Sequence, residues 1–331
     1  MSSKLVQTTV GLAVATLCAV AQAATVTVNI NPDGAGSDPT IAVGSLDWST
    51  GNSIAVADAG ESVAAGAAVG QGLLAYAHAR LNAFQDSSGN GIGGLQLNGP
   101  TASTNYEWTF VSRFREVLTA VADPITGLGV TETLVVADPR NLFQIWYHAT
   151  PNGENLTGKG FNDGILILEA IGGVGTGVFT ATGVSNLDGF GTNNYSGYTT
   201  LTGEGSTSIV AEVSLFDPTF FPGLVGGAEI VLDFTSQQRL NYSSTNPSSC
   251  FFDFGTGYFT GAGNGITGGC GTAADFGTIG ATNGVNGPNV MFQTDSSSGF
   301  IYKVPEPGSL ALVGVALLGF AATARRRRHP Q

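Results

Sequence analysis

Tyr106-Glu107-Trp108-Thr109-Phe110-Val111-Ser112-Arg113-Phe114-Arg115-Glu116 decides the fold. Aromatic residues fall at even positions, and Glu107, Thr109, Val111, Arg113 and Arg115 fall between them. A period of two with aromatic and β-branched enrichment is the signature of a strand with one buried face. The same alternation recurs on both sides. Leu74, Tyr76, His78 and Arg80 share one face of the run from Gly72 to Leu81, with Leu73, Ala75, Ala77, Ala79 and Leu81 on the other. From Leu142 to Ala149, Phe143, Ile145 and Tyr147 oppose Gln144, Trp146 and His148. Thr25 to Ile30 alternates strictly, and shorter candidates lie at 133–136, 164–170, 178–182, 209–216, 229–234, 290–293 and 300–303.

Between these runs stand tight-turn sequences: Asn31-Pro32-Asp33-Gly34, Asp86 to Gly91, Pro151-Asn152-Gly153, Asn162-Asp163-Gly164 and Asn283-Gly284. Asn, Asp and Gly favour turns because they tolerate left-handed backbone and bond locally. No long stretch carries helical periodicity. The pattern predicts an all-β body, an antiparallel β-sandwich-like fold with Gly-rich loops, in one domain over residues 24–303. A β-helix is disfavoured because no fixed-period repeat is present.

The two ends differ from the body. Lys4, the apolar run Val10–Val20 and Ala21-Gln22-Ala23 form the three regions of a secretory signal peptide, residues 1–23, with cleavage expected after Ala23. Leu17 precedes Cys18, where a lipoprotein site needs a small residue, so Cys18 is expected to leave with the signal. At the other end, Pro305-Glu306-Pro307 is followed by 17 uncharged residues from Gly308 to Ala324, then Arg325-Arg326-Arg327-Arg328. As a helix that run spans roughly 25 Å, at the short end of what crosses a bilayer. The arginines resist translocation and hold the tail's end in the cytoplasm, which puts the body across the inner membrane.

This tripartite tail, residues 304–328, resembles the PEP-CTERM sorting signal, the tag read by exosortase-type processing enzymes of Gram-negative bacteria. The resemblance implies transient arrest in the inner membrane, cutting near Pro305–Pro307, and delivery to the cell surface or extracellular matrix. Four further segments are similar to flocculation-associated PEP-CTERM proteins: Asn141–Tyr147, Leu156–Ile167, Asn246–Phe251 and Asn286–Asp295. That likeness implies a non-catalytic protein that promotes cell aggregation within exopolysaccharide, with the matrix or neighbouring cell surfaces as partners.

Composition narrows the alternatives. Between the two processing sites seven strong bases stand against 23 acids, a net charge of −16, beside −12 for the whole chain. Such acidity disfavours nucleic acid as a partner. Cys250 and Cys270 are the cysteines left in the body, and an oxidising compartment predicts a disulfide between them. It would close a Gly-rich loop of about 20 residues, worth roughly 3 kcal/mol in the chain-entropy account.

Catalytic signals are sparse. His78 and His148 sit inside alternating strands and outside any His-Glu-x-x-His or Gly-x-Ser-x-Gly context, so neither is assigned a catalytic role. Paired carboxylates leave a secreted glycosidase as the alternative, although 23 acids single out no pair. No cofactor is expected. Asp86, Ser88, Asn90 and Gly91 match the opening of a calcium loop, but Leu97 fills the twelfth place and the segment reads better as a polar turn. Trp108 is expected in the core. Trp146, on the face of Gln144 and His148, and Tyr195 and Tyr198, in a turn-rich stretch, are the candidates for stacking on sugar rings.

Overall fold

In the computed structural model the described residues are 23–32, 40–98, 105–238, 242–253, 257–260 and 288–302. Among them no helix occurs, and the chain forms fourteen strands. In order they are β1 (Ala23–Ala24), β2 (Val26–Asn29), β3 (Thr40–Val43), β4 (Ser45–Ala57), β5 (Gly72–Gln85), β6 (Glu107–Ala120) and β7 (Gly129–Val135). They continue with β8 (Leu142–His148), β9 (Ile165–Asn186), β10 (Thr199–Phe216), β11 (Ala228–Gln238), β12 (Cys250–Asp253), β13 (Gly257–Thr260) and β14 (Val290–Tyr302).

The expected all-β, antiparallel class is found, as one large sheet. Its strands run β4-β5-β6-β7-β9-β10-β11-β14, and β14 pairs again with β4, so the sheet closes on itself. β7 and β8 share one place in the ring. β8 bridges Glu107–Arg113 of β6 to the start of β9, and β7 bridges Glu116–Ala120 to its later part. Closure leaves no free edge in the ring, the usual liability of a large sheet.

Two strands are longer than the sequence reading. Residues 164–170, apart from Gly164, and 178–182 lie on a single strand, β9, because Gly172 and Gly173 take φ of +73° and +108° and bulge without ending it. Likewise 290–293 and 300–303 belong to β14, apart from Lys303, which lies outside the described residues. β4 was not anticipated: Ser49-Thr50-Gly51-Asn52-Ser53 has turn composition, yet it lies in a strand that slips register around Trp48.

The alternation sorts the side chains of β6 cleanly. Trp108 and Phe110 point into the ring and meet inward aromatics: Trp48–Phe110 edge-on at 4.9 Å, Phe84–Trp108 edge-on at 5.1 Å and Phe110–Phe143 stacked at 5.3 Å between centroids. Each such buried side chain contributes roughly 1.5–3 kcal/mol. Their polar atoms are met. The Trp108 indole N–H donates to the Ile30 carbonyl at 3.0 Å, and that of Trp48 donates to Ser298 Oγ at 3.0 Å. The β2–β3 hairpin, with Val26, Val28 and Ile30 buried, and the turn carrying Phe220 and Phe221 pack at this aromatic end.

Further along β6 the inward side chains become Ser112, Phe114, Glu116 and Leu118, opposite inward Ala75 and Ala77 of β5. Glu116 is buried and bonds to the Thr133 hydroxyl, and burial pushes its carboxyl above the ordinary range.

The outward face of β4 and β5 is covered by a second layer. Ile54, Val56, Leu74 and Tyr76 pack there with Leu187, Tyr195, Tyr242, Phe251 and Met291. The strap 245–253 is fastened by Asn52, whose Oδ1 accepts the Ser248 N–H at 2.8 Å while its Nδ2 donates to the Asn246 carbonyl at 3.1 Å. Asp253 at the strap's end pairs with Arg113 of β6 in a buried ion pair. Beside the strap, the loop before β9 comes so close that a Cβ on Gly158, at φ +71°, would lie 2.0 Å from the Cys250 carbonyl oxygen.

Two predictions follow from this packing. Gly158→Ala meets both left-handed strain and the Cys250 carbonyl, and is expected to cost on the order of 1–3 kcal/mol, read from the urea midpoint. Glu116 has a raised carboxyl, so its contribution is intact below the unfolded value near 4.5 and is lost as pH rises through the folded one. Glu116→Gln is therefore expected to raise the melting temperature at pH 7, with the gap to wild type closing toward pH 4.

Candidate functional site

The outward row of β5 reads Leu74, Tyr76, His78, Arg80, Asn82. Its first three members lie under the second layer, and the last two emerge into a cleft of about 660 Å³. Residues 47–50 of β4, Asp295 of β14, the turn 153–156, Phe190 and residues 244–246 complete the walls. The lining is chiefly polar, unlike the apolar pockets that take most small ligands.

Each functional group has a holder. Glu107, fully buried on β6, accepts N–H bonds from Asn152 at 2.5 Å and Gly153 at 2.8 Å through Oε1, which fixes the turn that forms one wall. Its Oε2 lies 3.9 Å from Arg80 Nη1, which sets the guanidinium beside a buried acid at the cleft. Burial raises the Glu107 carboxyl, against the pull of those two N–H groups and of Arg80. Asn82 Nδ2 donates to Asp47 Oδ2 at 2.8 Å. Asp295 is raised by burial and then by the charge of Asp47. On the opposite wall, Asn246 Oδ1 accepts from Asn194 Nδ2 at 3.3 Å. Phe190 stands at the cleft and is 40% exposed.

A guanidinium, the three carboxylates of Asp47, Glu154 and Asp295, several amides and an aromatic ring together offer donors, acceptors and one apolar surface. Hydroxyl groups that both donate and accept fit such a set, since carboxylates accept only and guanidinium donates only.

The residues singled out in the sequence fall elsewhere. Tyr195 is 2% exposed and belongs to the second layer, so it is corrected from a sugar-stacking candidate to a core residue. Tyr198 packs half-buried against the same cluster, with its ring 6.3 Å from that of Tyr195. Trp146 is half-buried on β8 with its indole nitrogen enclosed, and it lies outside the cleft. Trp48 and Trp108 are core. Phe190, in Asp188-Gly189-Phe190-Gly191, escaped the sequence reading; an aromatic flanked by glycines in a turn was the available signal.

Both histidines meet hydroxyls, and neither hydroxyl is open to substrate. His78 shares a 2.8 Å hydrogen bond with Ser248 Oγ, whose own proton goes to the Asn155 carbonyl. Stacked at 4.3 Å on Phe161 and buried, His78 is pushed down to about 3 and stays neutral. His148 lies 3.1 Å from Asp163 and 3.2 Å from Thr109 Oγ1, which donates to the Phe161 carbonyl. Thr109 and Ser248 are fully buried.

Asp86 accepts the N–H groups of Ser88 at 2.8 Å and Asn90 at 3.0 Å, so its carboxylate serves its own turn. Among the described residues no group of three or more His, Cys, Asp or Glu is placed to hold a metal ion. Cys250 is buried at the start of β12; Cys270 lies outside the described residues. Ala23 pairs with Ile301, whereas Ala21, Pro305, Glu306, Pro307 and Arg325–Arg328 lie outside the described residues. So does the apolar run 308–324, and among the described residues no helix is long and apolar enough to cross a membrane.

Residues 303–328 match the PEP-CTERM protein-sorting motif. The chain carries a PEP-CTERM sorting signal. This motif implies export, exosortase processing and C-terminal sorting to the cell envelope or surface. No curated protein and no solved structure matches the chain.

Proposed function

We propose that this is a non-catalytic surface or matrix protein that retains exopolysaccharide in the polar cleft and so promotes cell aggregation. The observation that carries the reading is the cleft's lining, in which Arg80, Asn82, Asp47 and Asn246 present hydrogen-bonding groups beside the exposed ring of Phe190. Polysaccharide is the ligand class that a PEP-CTERM-tagged protein would meet outside the cell, and its hydroxyls suit both carboxylate acceptors and guanidinium donors. In this account the signal peptide delivers the chain and the apolar run 308–324 holds it with Arg325–Arg328 cytoplasmic. Cutting near Pro305–Pro307 then hands the body to the exterior. A Cys250–Cys270 disulfide clamps the Gly-rich segment between them in the oxidising compartment.

A second reading is favoured by one observation. Asp47 and Asp295 line the same cleft, and burial together with Asp47's charge raises Asp295, as a general acid requires. That would make the protein a glycosidase acting on the same polymer.

One experiment separates the two. Exopolysaccharide from the producing strain is incubated with the wild type and with an Asn82→Ala/Phe190→Ala variant. The proposal expects retention to fall about tenfold or more in the variant, equivalent to at least about 1.4 kcal/mol, with no reducing ends released by either. Unchanged retention refutes the cleft as the binding surface. Reducing ends released by the wild type and abolished in Asp295→Asn establish the glycosidase instead.

A further inference from the structure

The ring's interior is full of aromatics at one end and hollow toward the other. A cavity of about 110 Å³ lies inside it, lined by inward side chains that include Ala75, Glu116, Thr133, Phe179, Thr207 and Phe292. These come from β5, β6, β7, β9, β10 and β14, so the hollow is enclosed by most of the ring. A smaller hollow of about 50 Å³ adjoins it and shares Ala75, Glu116, Thr207 and Phe292. The hollow has a basis in the sequence: β5 turns the small side chains of Ala75 and Ala77 inward, opposite Phe114 and Ser112 of β6 and next to the Leu73–Glu116 pair.

The loop 58–71 covers this end. Val63, Ala64 and Ala67 pack on Leu73, Leu118, Leu201 and Val290. Backbone bonds fasten it, among them Val63 N–H to Pro288 at 3.0 Å, Gly66 N–H to Pro124 at 2.7 Å and Gly70 N–H to Leu118 at 2.8 Å. An ion pair between Asp58 and Arg115 anchors its start on the outside of β6.

Interiors are normally packed to the density of organic crystals, and an unfilled hollow forfeits contacts on every wall. This one also contains a carboxyl group. Glu116 is 7% exposed, and it is the sole ionisable side chain among the described residues that line the cavity. Its neighbours there are apolar or hydroxyl-bearing, with no lysine or arginine among them. An acid facing an apolar cavity is a fixed polar point in a shape that otherwise recognises only size.

We propose that the interior of the ring is a binding site for a small, uncharged, mostly apolar molecule carrying one hydroxyl group, which bonds to Glu116 while the rest fills the space beside Ala75, Phe179 and Phe292. Burial disfavours the charged form of Glu116, and a protonated carboxyl both donates to and accepts from a hydroxyl. A cationic ligand would instead have to bury a charge pair, whose desolvation opposes binding. The hollow and its smaller neighbour together come close to the roughly 150 Å³ of an engineered cavity that takes benzene, so the pair suits about six or seven non-hydrogen atoms. The site is separate from the outer cleft, so the fate of either reading leaves the other standing.

The test uses the full-length chain in lipid nanodiscs, with empty discs as reference, titrated with benzyl alcohol and with toluene. These probes differ by the hydroxyl group. The readout is the methyl resonances of Leu73, Leu118 and Leu201. The wild type is expected to shift saturably with benzyl alcohol and to bind it at least about fivefold more tightly than toluene. Ala75→Leu, which fills the hollow, is expected to abolish the shifts. Glu116→Leu is expected to lose the preference for the alcohol, and Glu116→Gln to keep it. Absence of saturable shifts in the wild type up to the solubility of both probes overturns the proposal. So does an unaltered alcohol preference in Glu116→Leu, a result that decides the matter even if Ala75→Leu fails to fold.

Discussion

The pairing of β4 with β14 is the constraint on which the rest of the structure depends. Nine residue pairs, from Val290–Ala55 to Gly299–Ser45, join a strand from the N-terminal part of the body to the last described strand. Without that ladder the sheet would be an open ribbon with two long edges and aromatic side chains along one face. With it the inward side chains of all staves converge, and Trp48, Phe110 and Phe143 can pack against one another from strands far apart in sequence. The closure also spans a wide sequence separation, so the cost of ordering the chain is met late and the ring forms only when both termini of the body are present.

Closure divides the molecule into an inside and an outside that use different chemistry. Inside, packing does the holding, and its incompleteness near Glu116 leaves a hollow. Outside β4 and β5, polar groups hold the second layer: Asn52 and His78 bind the strap, and Arg113 pairs with Asp253 beneath it. Of the stretches noted in the sequence for their family likeness, 156–167 and 246–251 meet in this layer, while 141–147 lies in the ring as β8. Leu156 accepts the Ser249 N–H at 3.0 Å, Phe161 stacks on His78, and β8 lies against β6 and β9. The polar cleft opens where this layer ends, so its geometry is inherited from the strap's anchorage.

Much of this was legible in the sequence, for identifiable reasons. Period two is enforced by the pleat, so the facing of β5, β6 and β8 could be read directly, including the buried side of Trp108. The sorting tail is compositional and needs no fold to be recognised. Local chemistry was misleading where tertiary contacts override it. Gly51 and Asn52 look like a turn, but β4 holds them between β5 and β14, and the Asn52 side chain binds the strap rather than its own backbone. Gly172 and Gly173 look like a strand end and act as a bulge. Tyr195 looks exposed among Asn, Ser and Gly, yet it is buried against Tyr242 and Phe251 by a layer no local pattern announces. The cleft was hidden for the same reason: Asp47, Arg80 and Asp295 are distant in sequence and meet only because the ring closes.

Native-state hydrogen exchange of the full-length chain tests that closure most directly. The amides of Gly51–Ala55 in β4 that point toward β14 are expected to exchange as slowly as those in the middle of β6, through the same global opening. Fast exchange of those β4 amides, with β5 and β6 still protected, would mean that β4 is a free edge, and the closed ring with its interior hollow and its cleft would be contradicted.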